Sequence, residues 1–246
     1  MTQMIRIPRS DTSHIAVPGR IALLLILAFG LGACGLVVPK GKATKSVTKS
    51  PVVEGREQLK SAKEALKQRK HDTVIAILDR VIASHALAGP DLAQAYYYRG
   101  RAFSRLRRPT RARGNYTAAI QVDPRYGDAY RSRCHINLVL GYTYDAANDC
   151  RMALSLDPQS ARAYAARAML NSKLGHFAAA LADHDKAISL TPQNWILLFN
   201  RGLTHREMSN EDLARQDITA AFEKSAAWAR TSEPYAKWFR HYGLIQ

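Results

Sequence analysis

The sequence predicts an all-α fold built from a tandem repeat, on three observations. The same residue types recur every 34 positions, as Tyr96, Tyr130 and Tyr164, as Arg99, Arg133, Arg167 and Arg201, and as two alanine columns, Ala112, Ala146, Ala180 and Ala214, then Ala119, Ala153, Ala187 and Ala221. Within each repeat the two alanines are seven residues apart, two helical turns on one face, where a methyl lets a neighbouring helix approach closely. Pro124, Pro158 and Pro192 close the repeats, each forbidding a helix to continue because proline lacks an N–H and clashes with the preceding turn. A hydrophobic fraction of 47% with 23% charged residues excludes wholesale disorder and a polytopic membrane protein. Three cysteines without a CxxC pair exclude a disulfide-dense scaffold and a zinc ribbon.

Residues 1–33 read as a lipoprotein-type signal peptide. Arg6, Arg9 and Arg20 precede an apolar run from Ile21 to Ala33. The run ends in Leu31-Gly32-Ala33-Cys34, which resembles the bacterial lipobox and so implies that the Cys34 thiol takes a lipid through a thioether, with cleavage just ahead of it. Counted through Val38 the stretch has 18 apolar residues, enough for an uncleaved inner-membrane anchor, and this alternative stays open. Gly30, Gly32 and Gly35 spell GxGxxG, but Val37-Val38-Pro39-Lys40 follows instead of a phosphate-binding helix, so no dinucleotide site is expected. Residues 34–54, rich in Lys, Ser and Thr, read as a flexible tether.

Residues 55–92 form a degenerate first repeat and an insert. Ala62 and Ala65 mark one helix and Val74, Leu78 and Val81 the next, followed by four extra residues around Gly89-Pro90. Four regular repeats cover 93–224, beginning at Ala93, Gly127, Ala161 and Trp195. Leu140-Gly141 and Leu174-Gly175 place a glycine just past the first helix, where a left-handed residue closes it. Arg107, Arg108 and Pro109 stand there in the repeat from Ala93, so its turn is expected to be built differently. In 225–246, Tyr235, Trp238, Phe239 and Tyr242 make one apolar helical stripe, read as a capping helix, with a partner-binding aromatic face as the alternative.

An aromatic, two alanines and a proline on a 34-residue period resemble the tetratricopeptide repeat (TPR), a helix-turn-helix unit that stacks into a right-handed superhelical solenoid. The resemblance implies a concave face made by the first helix of each repeat, where segments of partner proteins lie. The positions it aims inward are Tyr97, Arg101 and Arg105, then Arg131, His135 and Val139, then Met169 and Lys173, then Phe199, Leu203 and Arg206. The Lys and Asn set of the chaperone-tail carboxylate clamp is absent as a set. The lipobox, the degenerate first repeat and the stretch from Ile82-Ala83-Ser84 through Ala93-Gln94 to Tyr98-Arg99-Gly100 also resemble the NlpI-type envelope lipoproteins, over roughly residues 75–160. That family implies a non-enzymatic adaptor that brings periplasmic hydrolases to a protease.

The Arg column is followed sixteen residues later by Asn115, Asp149, Asp183 and Asp217, level with it across an antiparallel helix pair. Arg133 with Asp149, Arg167 with Asp183 and Arg201 with Asp217 therefore read as structural ion pairs, with ligand reading by the Arg column as the alternative. Cys134 and Cys150 have the same spacing and are either a disulfide or two buried thiols. Neither HExxH, GxSxG nor a phosphate-cradling glycine loop occurs, so no catalytic residue, metal or cofactor is expected, and His184 and His205 read as structural. The net charge of +16 comes without any nucleic-acid recognition module, which leaves anionic envelope material or plain solvent as its counterpart. The expectation is an adaptor lipid-anchored on the periplasmic side of the outer membrane, since Gly35 rather than Asp follows Cys34; a structural assembly factor of an outer-membrane or cell-wall complex is the alternative.

Overall fold

A computed structural model of the chain describes residues 50–233 and 235–246, without the side chains of Trp228 and Ala229. The chain divides into units Met1–Ser46 and Val47–Gln246, and all the described residues belong to the second. The signal segment, Cys34 and residues 34–49 of the tether lie outside the described residues.

Among the described residues every regular element is a helix. Five helical hairpins follow one another: α1 (Pro51–Lys67) with α2 (His71–Ala83), α3 (Gly89–Arg105) with α4 (Pro109–Val122), α5 (Gly127–Leu140) with α6 (Thr143–Leu156), α7 (Ala161–Lys173) with α8 (Phe177–Leu190), and α9 (Trp195–Glu207) with α10 (Glu211–Lys224). Two short helices, α11 (Ala227–Thr231) and α12 (Tyr235–His241), end the chain, in place of the single capping helix expected. Two boundaries also differ from expectation. The supposed insert at Gly89-Pro90 is the first turn of α3, because Pro90 near the start has the φ a helix needs and no N–H to lose. Likewise α1 starts inside the span read as tether, at Pro51, where the Ser50 hydroxyl accepts from the Val53 N–H at 3.4 Å.

Each hairpin packs on the next, and α1 touches α3, α5 touches α7 and α7 touches α9 directly, whereas no two of α2, α4, α6, α8 and α10 make comparable contact. The first helices thus form the inner layer of a solenoid and the second helices the outer one. The alanine columns sit in the seams, all eight at most 2% exposed. Inside a hairpin, close approach is set by one column in the first helix. A Cβ on Gly100 would lie 2.7 Å from the Tyr116 ring and one on Gly202 2.8 Å from Ile218 Cγ1, so glycine there admits a large residue opposite. Cys134 and Cys150 occupy the same two positions in α5 and α6 and are joined as a disulfide, with Cα atoms 5.4 Å apart.

The turn expected to differ does not. Arg107 has φ 55°, against 83° at Gly141 and 75° at Gly175, and Arg69 and Ser209 adopt the same left-handed state at 61° and 62°. In every hairpin the two amide groups of this residue and the next bond back to the helix end, as in Tyr142 N–H to Asn137 O at 2.8 Å and Arg108 N–H to Phe103 O at 2.9 Å. The backbone closure is common to all five; only the residue carrying it changes.

Candidate concave binding face

The predicted inward positions fall into three groups. Near the N-terminal end, Tyr97 is only 3% exposed and is not a contact residue, which corrects the expectation. Its ring packs against Tyr98, Tyr116 and Tyr126 at centroid distances of 5.2, 6.0 and 5.0 Å, and its hydroxyl accepts from Arg131 Nη2 at 3.3 Å. Burial, first, and the neighbouring Tyr97 push the phenols of Tyr116 and Tyr126 above their ordinary range. This aromatic bed carries Arg101, whose guanidinium lies 5.8 and 5.9 Å from the rings of Tyr97 and Tyr98. Arg131 is also held by Asp128, at 2.9 Å. Arg105 and His135 are exposed. Desolvation by the surrounding protein, then the charges of Arg131 and Arg105, lowers the His135 pKa.

The second group lines a cavity of about 300 Å³ shared by three repeats. Leu138 of α5, Met169 of α7 and Leu203 of α9 make its apolar wall, and Lys173 and Glu207 bring opposite charges to it. Lys173 donates to the Leu138 carbonyl at 3.1 Å. At the back, the Thr204 hydroxyl reaches Asn200 O at 3.2 Å and shares hydrogen bonds with the Ser172 hydroxyl at 2.8 Å and with His184 Nε2 at 3.2 Å. The other ring nitrogen of His184, Nδ1, is buried with no hydrogen-bond partner. His184 is fully buried, and desolvation, followed by the Arg201 charge, lowers its pKa to about 4.

The third group belongs to the end of the solenoid. Phe199, 3% exposed, meets Tyr235 and Phe239 edge-on at 5.1 and 6.1 Å, so it too is core and not a contact residue. Arg206 lies 4.5 Å from the Trp238 ring. The aromatic stripe of α12 is thereby turned onto α9 and α10, with Phe239 fully buried.

The Arg column is occupied by its carboxylates. Arg133, Arg167 and Arg201 each bond one carboxylate through Nε and Nη2, at 2.7 to 2.9 Å, to Asp149, Asp183 and Asp217. Arg99, facing Asn115, also reaches Asp79 of the preceding repeat at 2.6 Å. Sequence reasoning missed the third member of this ladder. Asn137 and Asn171 are 34 residues apart and donate to Asp149 and Asp183 at 2.9 and 3.2 Å, a periodic signal that was there to be found. The Ser172–Thr204–His184 chain and Glu207 follow no period and had no such signal.

Residues 161–194, spanning α7 and α8, match the family model of the tetratricopeptide repeat. Among solved structures, a thermophilic TPR protein of Thermus thermophilus is 17% identical at a TM-score of 0.65, covering 78% of this chain and all of that one. A tetratricopeptide repeat protein of Parabacteroides merdae is 19% identical at a TM-score of 0.60, covering 71% of this chain and 66% of that one. YrrB, described as a TPR protein with an unusual peptide-binding site, is 16% identical at a TM-score of 0.52, covering 78% and 98%. No curated protein sequence matches the chain significantly. The fold is therefore that of the TPR solenoids.

Proposed function

We propose that the protein is a membrane-tethered, non-enzymatic adaptor of the bacterial cell envelope that holds segments of partner proteins, periplasmic hydrolases or proteases among them, along the face formed by α3, α5, α7 and α9. The observation that carries this reading is the cavity between α5, α7 and α9. Three successive repeats contribute to it, and its apolar wall of Leu138, Met169 and Leu203 suits the side chain of a docked segment, with Asn200 at hand for its backbone. Arg101 and Arg105 continue the same face and favour an acidic stretch beside the anchored residue. The general capacity of the fold to bind proteins or peptides supports the reading, and the Cys134–Cys150 disulfide fits an oxidising compartment, as the lipobox at Cys34 does.

The test is to replace Arg101 and Arg105 together by Glu and repeat a crosslinked pull-down from membranes. Arg131 is left unchanged because Tyr97 and Asp128 hold it. Helicity and melting should be retained while co-purifying partners are lost. Recovery of every partner at full yield would overturn the assignment of this face.

A further inference from the structure

The five turns that join first to second helices lie side by side along one edge of the solenoid. Arg113, from the second hairpin, stacks 4.8 Å from the Tyr142 ring of the third turn, and Lys173 before the fourth turn donates to Leu138 before the third. On the first two turns this edge presents Arg69, Lys70, Arg107, Arg108 and Arg111, all exposed. Among the described residues, the ion pairs of these turns are Lys67 with Glu64 and Arg113 with Asp145, which leaves those five cations without a carboxylate partner. On the third turn the edge continues as exposed aromatic surface, with Tyr142 and Tyr144 50% and 80% accessible.

Two of these arginines are where a fold built only for stability would not put them. Arg69 and Arg107 carry the left-handed closure at φ 61° and 55°, a state that a Cβ disfavours and that Gly141 and Gly175 take in the next two hairpins. Arginine at these positions adds charge to the edge at some cost in backbone strain, whereas Ser209 takes the same state in the fifth turn without adding charge.

We infer that this edge docks on an anionic phospholipid surface, with the arginines and Lys70 among the headgroups and Tyr142 and Tyr144 at the interface. Cations next to tyrosines are the combination that headgroup regions favour, and each cation close to an anionic surface raises partitioning roughly fivefold. The inference takes its setting from the membrane location proposed above but owes nothing to the lipid on Cys34.

The experiment uses the fragment 47–246, which holds every buried apolar cluster among the described residues and the disulfide and so carries its own core. It is sedimented with vesicles of phosphatidylcholine alone or of equal parts phosphatidylcholine and phosphatidylglycerol. Binding is expected to the second kind only, to weaken with salt, and to fall at least tenfold in Arg69→Gly/Arg107→Gly. Glycine relieves the left-handed positions, so that variant should melt no lower than the parent, which separates lost binding from lost folding. No sedimentation with the anionic vesicles, or undiminished binding by the variant, would overturn the inference. So would tighter binding of a single-stranded oligonucleotide than of vesicles at equal phosphate. Failure of the lipid anchor would show elsewhere, as unchanged membrane retention of full-length Cys34→Ser.

Discussion

His184 illustrates how one residue in a repeat protein departs from its column. Its equivalents in neighbouring hairpins are Tyr116, Cys150 and Ile218, each buried and each facing a small residue or its disulfide partner, and none ionises readily near neutral pH. At 184 the imidazole is hydrogen-bonded to Thr204 through Nε2 and has no partner on Nδ1, so taking up a second proton would place a charge in the core next to Arg201. Its folded pKa is lowered from 6.5 to about 4. A group depressed on folding contributes stability fully above its unfolded value, and that contribution is lost as pH falls from about 6.5 toward 4. The gap between the two values corresponds to roughly 3 kcal/mol. Denaturant unfolding between pH 7 and pH 4 should therefore show the parent losing stability more steeply than His184→Gln by up to that amount. Lowered His135 contributes in the same direction, but equally to both proteins. Parallel pH profiles would show that His184 titrates normally.

At the scale of elements, the hairpin is the unit the sequence specifies, through pairs sixteen residues apart. The alanine seams and the Arg–Asp rungs were legible because each is a single-residue rule repeated on the 34-residue period. The turns were not. Glycine advertises a left-handed closure, whereas Arg69, Arg107 and Ser209 adopt the same conformation under the demand of the Schellman hydrogen bonds, without a residue type that signals it. The cavity was not legible either, since its wall takes one or a few side chains from each of three repeats. Tyr97 and Phe199 sit at inward positions by period but are pulled into the core by local aromatic neighbours, Tyr126 in one case and α12 in the other. Cys134 and Cys150 could be placed level but not bonded, because spacing fixes proximity and says nothing of oxidation. As a staple between α5 and α6 the disulfide closes a loop of 16 residues, which contributes about 3 kcal/mol by restricting the unfolded chain. For a domain of this size that is roughly 6–12 °C in melting temperature. The double variant Cys134→Ala/Cys150→Ala should melt lower by about that interval in thermal circular dichroism; equal melting would show that the bond adds nothing to the fold.

At the scale of the whole solenoid, stability among the described residues is a chain of interfaces between neighbouring helices, with no closing contact between the first and last hairpins. Such a structure opens from its ends. At the C-terminal end α12 seals the last hairpin, with Phe239 fully buried against Phe199 and Phe222, and Tyr242 and Trp238 alongside. Phe239→Ala removes the central ring of that seal, a change that costs about 3–5 kcal/mol in a packed core. Because α9 and α10 pack on the earlier repeats chiefly through α7 and α8, the loss should be local. In hydrogen exchange, amides of α9, α10 and α12 should lose protection in the variant, while α5 and α6, stapled by Cys134–Cys150 and bridged by Arg133–Asp149, keep theirs. Thermal unfolding should broaden accordingly, since the capless end melts first. An equal drop in protection across all five hairpins would mean that the molecule unfolds as one cooperative block, and that the last two short helices govern the whole solenoid and not only its end.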